Sequence, residues 1–291
     1  MKRPFYLVLA VLTAIPFMGS TQQIELPRLS PKASVGYTIG LTDVNIHYGS
    51  PAVKERIIWG DVVPYDKIWR GGANEATTIE FSTDVNVEGQ MLKAGKYALF
   101  FIPGQSEWTV IFNKKTDQWG AYGYEESDDA LRITVTPKMN EGMQERLTYS
   151  IHDMKMDMGY VKLAWEKLRL YIRFKTEMMS EALANITEAL EKSPEDKKWI
   201  VYAEASDFLT NAEGDEDLAL DFAKKSTERF NHSWNWYVRA KAEARKGDMI
   251  SAVASGTKAA EIGLADENDK YYEDNKDEIN SAIQNWATKM N

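Results

Sequence analysis

KYALFFIPGQSEWTVIFN, at Lys96–Asn113, is the stretch whose reading decides the fold. It holds two near-continuous apolar runs, KYALFFIPG and EWTVIFN, separated by a turn that contains Pro103 and Gly104. Short runs rich in Phe, Ile, Val and Trp and bounded by turn residues read as buried strands. Ser106 lies on the turn and lacks the strand-to-helix elbow of a nucleophilic serine.

The same grammar extends both ways. Upstream, Val44, Ile46 and Tyr48 alternate with Asn45 and His47, and Thr77, Ile79 and Phe81 alternate with Thr78 and Glu80. That is the period of a half-buried strand. VNVEGQML places Glu88-Gly89 between two short apolar segments, which predicts a hairpin. Downstream come LRITVTP, RLTYSI, YVKLAW and LRLYIRFK. In the last, Leu168, Leu170, Ile172 and Phe174 face one way and Arg169, Tyr171, Arg173 and Lys175 the other. About ten such strands predict an all-β antiparallel sandwich or jelly-roll-like domain over residues 30–176.

After Thr176 the pattern turns to Ala-rich helical segments. GDEDLA at 214–219 returns as GDMISA at 247–252, and Trp199 with Ala203 is echoed by Trp236 with Ala240. Ala223 and Ala259 fall in the second helix of each unit. This resembles tetratricopeptide repeats, whose helix pairs recur about every 34 residues; the plainer alternative is a helical bundle. Glu181–Lys192 reads as a preceding helix and Ile279–Met290 as a final one. An all-α repeat domain is therefore expected over 180–291, joined to the first near Thr176–Ser180.

The chain has 291 residues and a formal charge of −9. From Ser180 onward 23 acidic and 14 basic residues give a net −9. An acidic half with no basic stripe is a poor match to a phosphate backbone, so nucleic acid is not an expected partner. MKRPFYLVLAVLTAIPFMGST has a basic start, an apolar run and small residues after it, which predicts a signal peptide at 1–21. An uncleaved anchor is the alternative; removal of the signal would leave no transmembrane span. The sequence contains no cysteine, which removes disulfides, thiolate metal sites and Cys nucleophiles. The expected location is periplasmic or secreted.

Tyr48–Thr78, YGSPAVKERIIWGDVVPYDKIWRGGANEATT, is mostly loop. Ordered loops of that length are often functional. Within it Arg56, Arg70, Asn74 and Glu75 accompany Trp59, Tyr65 and Trp69. Arginine forks read carboxylates or phosphates, Asn and Glu orient hydroxyls, and aromatics stack on sugars. The structural alternative pairs Arg70 with Glu75 and puts the tryptophans in the core. His47 could join Glu75 as an acid–base pair, or be a solvated strand residue. Trp108, Trp119, Tyr122 and Tyr124 could form an aromatic platform, or sandwich core and edge. The histidines His47, His152 and His232 lack metal-ligand spacing, and no phosphate or dinucleotide loop occurs. No cofactor or metal is expected. Glu125–Asp129 and Asp266–Glu278 read as solvated carboxylate runs; the second lacks the Gly and oxygen ligands of a calcium loop.

From Ser30 to Phe174 the chain resembles the family known as domain of unknown function 2911, most specifically in WRGGANEAT at Trp69–Thr77. Two residues depart from its pattern: Glu55 stands where Gly is usual and Gly71 where Thr is usual. The resemblance implies a β-rich fold, export and a frequent helical repeat tail, and it implies no activity. The leading expectation is a non-enzymatic module that binds a small anionic or sugar ligand through the loop, with a protein partner on the helical repeats. The competing expectations are a hydrolase that uses Glu75 as acid or base on a glycan or peptide, and a purely structural envelope protein.

Overall fold

The computed structural model describes residues 26–290; the predicted signal peptide at 1–21 lies outside them. Among these described residues ten strands precede six α-helices, a β domain followed by an α domain. The strands are β1 (Lys32–Ile39), β2 (Thr42–Gly49), β3 (Thr78–Phe81), β4 (Val85–Val87), β5 (Gln90–Leu92), β6 (Gly95–Pro103), β7 (Trp108–Asn113), β8 (Asp129–Val135), β9 (Lys138–His152) and β10 (Met158–Thr176). They form a six-stranded sheet, β1-β2-β3-β6-β7-β8, and a four-stranded sheet, β5-β4-β10-β9. Every named strand pair is antiparallel.

The alternation read from sequence is the packing. Val44, Ile46, Ile79, Phe81 and Val110 of one sheet share a core with Val85, Val87, Leu170, Ile172 and Phe174 of the other. The Lys96–Asn113 stretch is the β6–β7 pair, with Leu99 opposite Phe112 and Phe101 opposite Val110. The β4–β5 hairpin turns at Glu88 (φ 47°) and Gly89 (φ 89°), and Asn86 Oδ1 accepts from the Gly89 N–H at 2.8 Å. Arg169 falls on the outward set of β10 as expected, yet it is buried. Irregular pairing at Glu166 brings the carbonyls of Glu166, Leu168 and Gly142 within reach of its guanidinium.

The helices are α1 (Met178–Lys192), α2 (Lys198–Asn211), α3 (Glu216–Arg229), α4 (Ser233–Arg245), α5 (Met249–Ala265) and α6 (Lys270–Thr288). The repeated GD pair has one mechanical role in both places. Asp215 caps α3 by accepting from the Leu218 N–H, and Asp248 caps α5 by accepting from Ser251. Ala203, Ala223, Ala240 and Ala259 are all fully buried. Small side chains there let the paired helices α2–α3 and α4–α5 approach closely. The last helix begins nine residues earlier than the apolar pattern suggests. Asp269, in the carboxylate run, caps it through the Tyr272 N–H, and Tyr272 packs on Gly263.

Candidate functional site

The loop from Tyr48 to Thr78 divides into an inner and an outer part. Trp69 exchanges two backbone hydrogen bonds with Phe101 of β6, at 2.7 and 2.8 Å, which directs its side chain into the core. There its ring and that of Trp59 meet Trp108 and Trp165, with Trp59 ring centroids 5.0 Å from Trp108 and 5.8 Å from Trp69 and Trp165. The two loop tryptophans anchor the loop to the sandwich, with offset and edge-to-face contacts. Arg56 spends its guanidinium on its own turn, donating to the Val53 and Ala52 carbonyls at 3.0 and 2.6 Å. That turn needs the help, since Lys54 and Glu55 both have left-handed φ, 47° and 59°. A glycine would take the Glu55 position without strain. Tyr65 is half-buried beside Gly60.

The outer part holds Arg70, Asn74 and Glu75. Residues 74–76 pair with 118–120 as a short antiparallel ribbon: Gly120 N–H donates to Asn74 O at 3.0 Å and Ala76 N–H to Gln118 O at 2.9 Å, with Glu75 opposite Trp119. Asn74, at φ 66°, donates through its side chain to Ser30 O at 3.1 Å. Beneath the ribbon lies a small second core of Ala76, Ala98, Phe100 and Ile111, roofed by Ala121 and Tyr124. Tyr124 Oη donates to Asp129 Oδ2 at 2.8 Å; burial first, then this carboxylate, pushes the phenol up to about 12.

The pairing of Arg70 with Glu75 that the sequence allows does not form. Arg28 Nη1 donates to both Glu75 oxygens at 2.6 Å, and its guanidinium sits 5.6 Å from the Trp119 ring centroid. The Arg28 hydrogen bond holds the Glu75 carboxyl below its ordinary value. The Arg70 guanidinium makes no hydrogen bond or ion pair among the described residues, its backbone carbonyl alone accepting from the Thr77 N–H at 3.1 Å, and its Nε is buried without a partner. Partial burial works against its charge and lowers its pKa.

At the Gln118 end of the ribbon a pocket of about 300 Å3 opens on the outer face of the large sheet. Lys32, His47, Tyr48, Glu75, Thr78 and Asp117 are among its lining residues. His47 reaches it because it points away from the core-facing Ile46. Beside it Trp119 is 57% exposed, and Tyr122 further along is 92% exposed. Of the seven loop residues singled out from sequence, three therefore gather at this face, joined by His47; Arg56, Trp59, Tyr65 and Trp69 do not. Arg28, Lys32 and Asp117 were not singled out. Trp119 and Tyr122 carried a signal, as aromatics beside Gly120 and Gly123, and unlike Trp108 they stay outside the core.

No cluster of three His, Asp or Glu able to hold a metal occurs among the described residues. No helix among them is long and apolar enough to cross a membrane. No curated protein matches the chain. The β domain carrying this ribbon and pocket, residues 30–174, matches and belongs to the family described as Protein of unknown function (DUF2911).

Proposed function

We propose that the chain is an exported envelope protein whose β domain binds a small polyhydroxylated ligand, without chemistry, in the pocket beside the Asn74–Glu75 ribbon. The observation that carries this reading is the Trp119–Arg28–Glu75 arrangement at the pocket rim. A carboxylate kept ionised accepts hydrogen bonds from hydroxyls, and the half-exposed indole beside it offers a sugar ring a stacking face. Lys32, His47, Thr78 and Asp117 supply further donors and acceptors around a volume of about 300 Å3, the lower end for small-ligand sites. The test is a thermal-shift and fluorescence screen of neutral oligosaccharides against the native chain, Trp119→Ala and Glu75→Gln. A ligand at 100 times its Kd should add about 2.7 kcal/mol. Failure of every sugar to raise the native melting point, or equal binding by Trp119→Ala, removes the reading.

One observation favours a hydrolase as the second reading: His47, Glu75 and Asp117 line the same pocket. Because Arg28 keeps Glu75 ionised, it would serve as base or nucleophile, and the acid would have to be His47 or Asp117. Turnover of chromogenic glycosides that is lost in both Glu75→Gln and Asp117→Asn would establish it.

The helices form the interaction half of the proposal. Stacked helix pairs present an extended surface suited to protein, and a net −9 from Ser180 onward favours basic partners. Partners cross-linked to the native chain should be lost from a chain ending at Thr176, and lost at high salt. Recovery of the same partners without the helices would count against it. Export is tested by N-terminal sequencing of the mature protein, which should begin soon after Thr21.

A further inference from the structure

We infer that Arg70 is an oxyanion subsite that takes the carboxylate of an acidic saccharide whose sugar ring lies on Tyr122 or Trp119. This rests on the reading of the adjoining pocket as saccharide-binding and names the ligand's charge. A half-buried guanidinium without a counter-charge is unusual, because desolvating a cation costs free energy that a partner normally offsets. Arg70 has none among the described residues, and the unpartnered Nε is fully shielded by protein. Two of the acids in this region have other partners, and Asp117 faces the pocket instead. Glu75 is held by Arg28, and Asp129 accepts from Asn113 Nδ2 at 2.9 Å and from Tyr124.

The surroundings suit a ligand. Trp69 points into the sandwich core through its pairing with Phe101, which sends its neighbour Arg70 to the outer face. Gly120, at φ 68°, lies against the guanidinium: a Cβ there would sit 3.8 Å from Arg70 Nη1 and 3.0 Å from the Tyr122 ring. The Tyr122 ring therefore packs directly on the glycine, which brings the cation and the exposed ring side by side at the ribbon's end. The pocket opens at Gln118, two residues along the ribbon, or about 7 Å at strand rise. One or two sugar rings span that separation.

Charge and shape select the carboxylate. A guanidinium presents planar, paired N–H donors that match a carboxylate edge to edge. A single cation, with no helix terminus beside it, neutralises one negative charge, whereas a phosphate monoester carries nearly two at neutral pH.

The experiment measures binding of tetragalacturonate and of its fully methyl-esterified, neutral form to the full chain by calorimetry at neutral pH. The expected result is binding of both, with the acid at least ~10-fold tighter, since each tenfold is 1.4 kcal/mol and a charge-assisted pair readily supplies it. Arg70→Gln should reduce the ratio to about one, and Arg70→Lys, which keeps the charge and loses the fork, should give an intermediate ratio. The native chain alone keeps the test decisive if Arg70→Gln fails to fold. Equal binding of acid and ester by the native chain overturns the inference and leaves the pocket reading standing. Binding of neither overturns both. A sugar phosphate that replaces the uronate with the same Arg70 dependence overturns the assignment to a carboxylate.

Discussion

Replacing Gly71 with alanine should destabilise the β domain far more than the same change at Gly89, and the difference measures how tightly the outer loop is seated. Both glycines are left-handed, with φ of 67° and 89°. An alanine at either place carries the steric cost of that conformation, about 1–2 kcal/mol. Only Gly71 is crowded. A Cβ there would lie 2.6 Å from a Phe101 ring carbon and 2.7 Å from Tyr149 Oη, whereas one at Gly89 meets nothing within 4 Å. Neither neighbour yields easily. Phe101 is fully buried, and Tyr149 is fixed by donating to Gly71 O at 2.8 Å and by its ring contact with Tyr48. Forcing an extra carbon into such a core adds about 1–3 kcal/mol. Gly71→Ala should therefore cost ~2–5 kcal/mol and Gly89→Ala ~1–2 kcal/mol. Gly71→Thr, which adds a larger, β-branched side chain at the same crowded place, should cost more still. In urea unfolding of the full chain, the transition common to both variants should move by ~1 M more for Gly71→Ala. Equal shifts would refute the packing argument and mean that the loop gives way at Gly71.

Lowering the pH should release Arg28 from Glu75. A depressed carboxylate contributes above its ordinary pKa and loses that contribution as pH falls through the folded value, so Trp119 emission in native chain and Glu75→Gln should differ at neutral pH and converge well below pH ~4. A constant difference down to pH 2 would contradict the contact. Arg245 ties α4 to the end of α2, donating to Leu209 O at 2.6 Å and Gly214 O at 2.7 Å beside Glu216. Arg245→Ala should lower stability by ~2–4 kcal/mol and speed amide exchange at the α2–α3 turn, because it strands helix-end carbonyls; unchanged exchange there would discount it. Trp59→Ala should cost ~3 kcal/mol of β-domain stability. It should leave saccharide affinity at the pocket unchanged, since the ring packs among Trp69, Trp108 and Trp165; lost affinity with intact stability would return Trp59 to the binding surface.

What could be read before the structure is what depends on period and on local turn chemistry. The strand faces of β2, β3 and β10 follow from alternation, because a one-residue slip would expose every core residue, whereas β6 and β7 were legible only as continuous apolar runs buried on both faces. Asp215 and Asp248 were visible as a repeat because the same capping contact recurs at the same place in each helix pair. The partner of Glu75 was not visible. Arg28 lies 47 residues away in an irregular segment, where no period constrains which side chain meets which. Trp119 shares that difficulty: composition matches it to the buried Trp108, and only its place in the ribbon opposite Glu75 marks it as exposed, while Tyr122 lies just beyond the ribbon and is exposed too. The start of α6 was missed because its first turn is held by Asp269, a residue that charge alone assigns to solvent.

The backbone of the Tyr48–Thr78 stretch separates a scaffold from a candidate site within one loop. Among the described residues eight non-glycine positions have left-handed φ, and four of them, Lys54, Glu55, Asp66 and Asn74, fall in these 31 residues. Each costs roughly 1–2 kcal/mol and persists only where its surroundings over-determine it. The surroundings here are specific. Arg56 closes the turn at 54–55, the Asp66 N–H donates to Pro103 O at 2.8 Å, and Asn74 is held from both sides by Ser30 and Gly120. Trp59 and Trp69 fasten the inner half to the sandwich, so the strain does not relax into motion of the outer half. A rigid mount of this kind lowers the entropy lost when a ligand docks, and it presents Arg70, Glu75 and Trp119 at fixed spacing. The residues that make the loop irregular thus keep its outer edge in one shape.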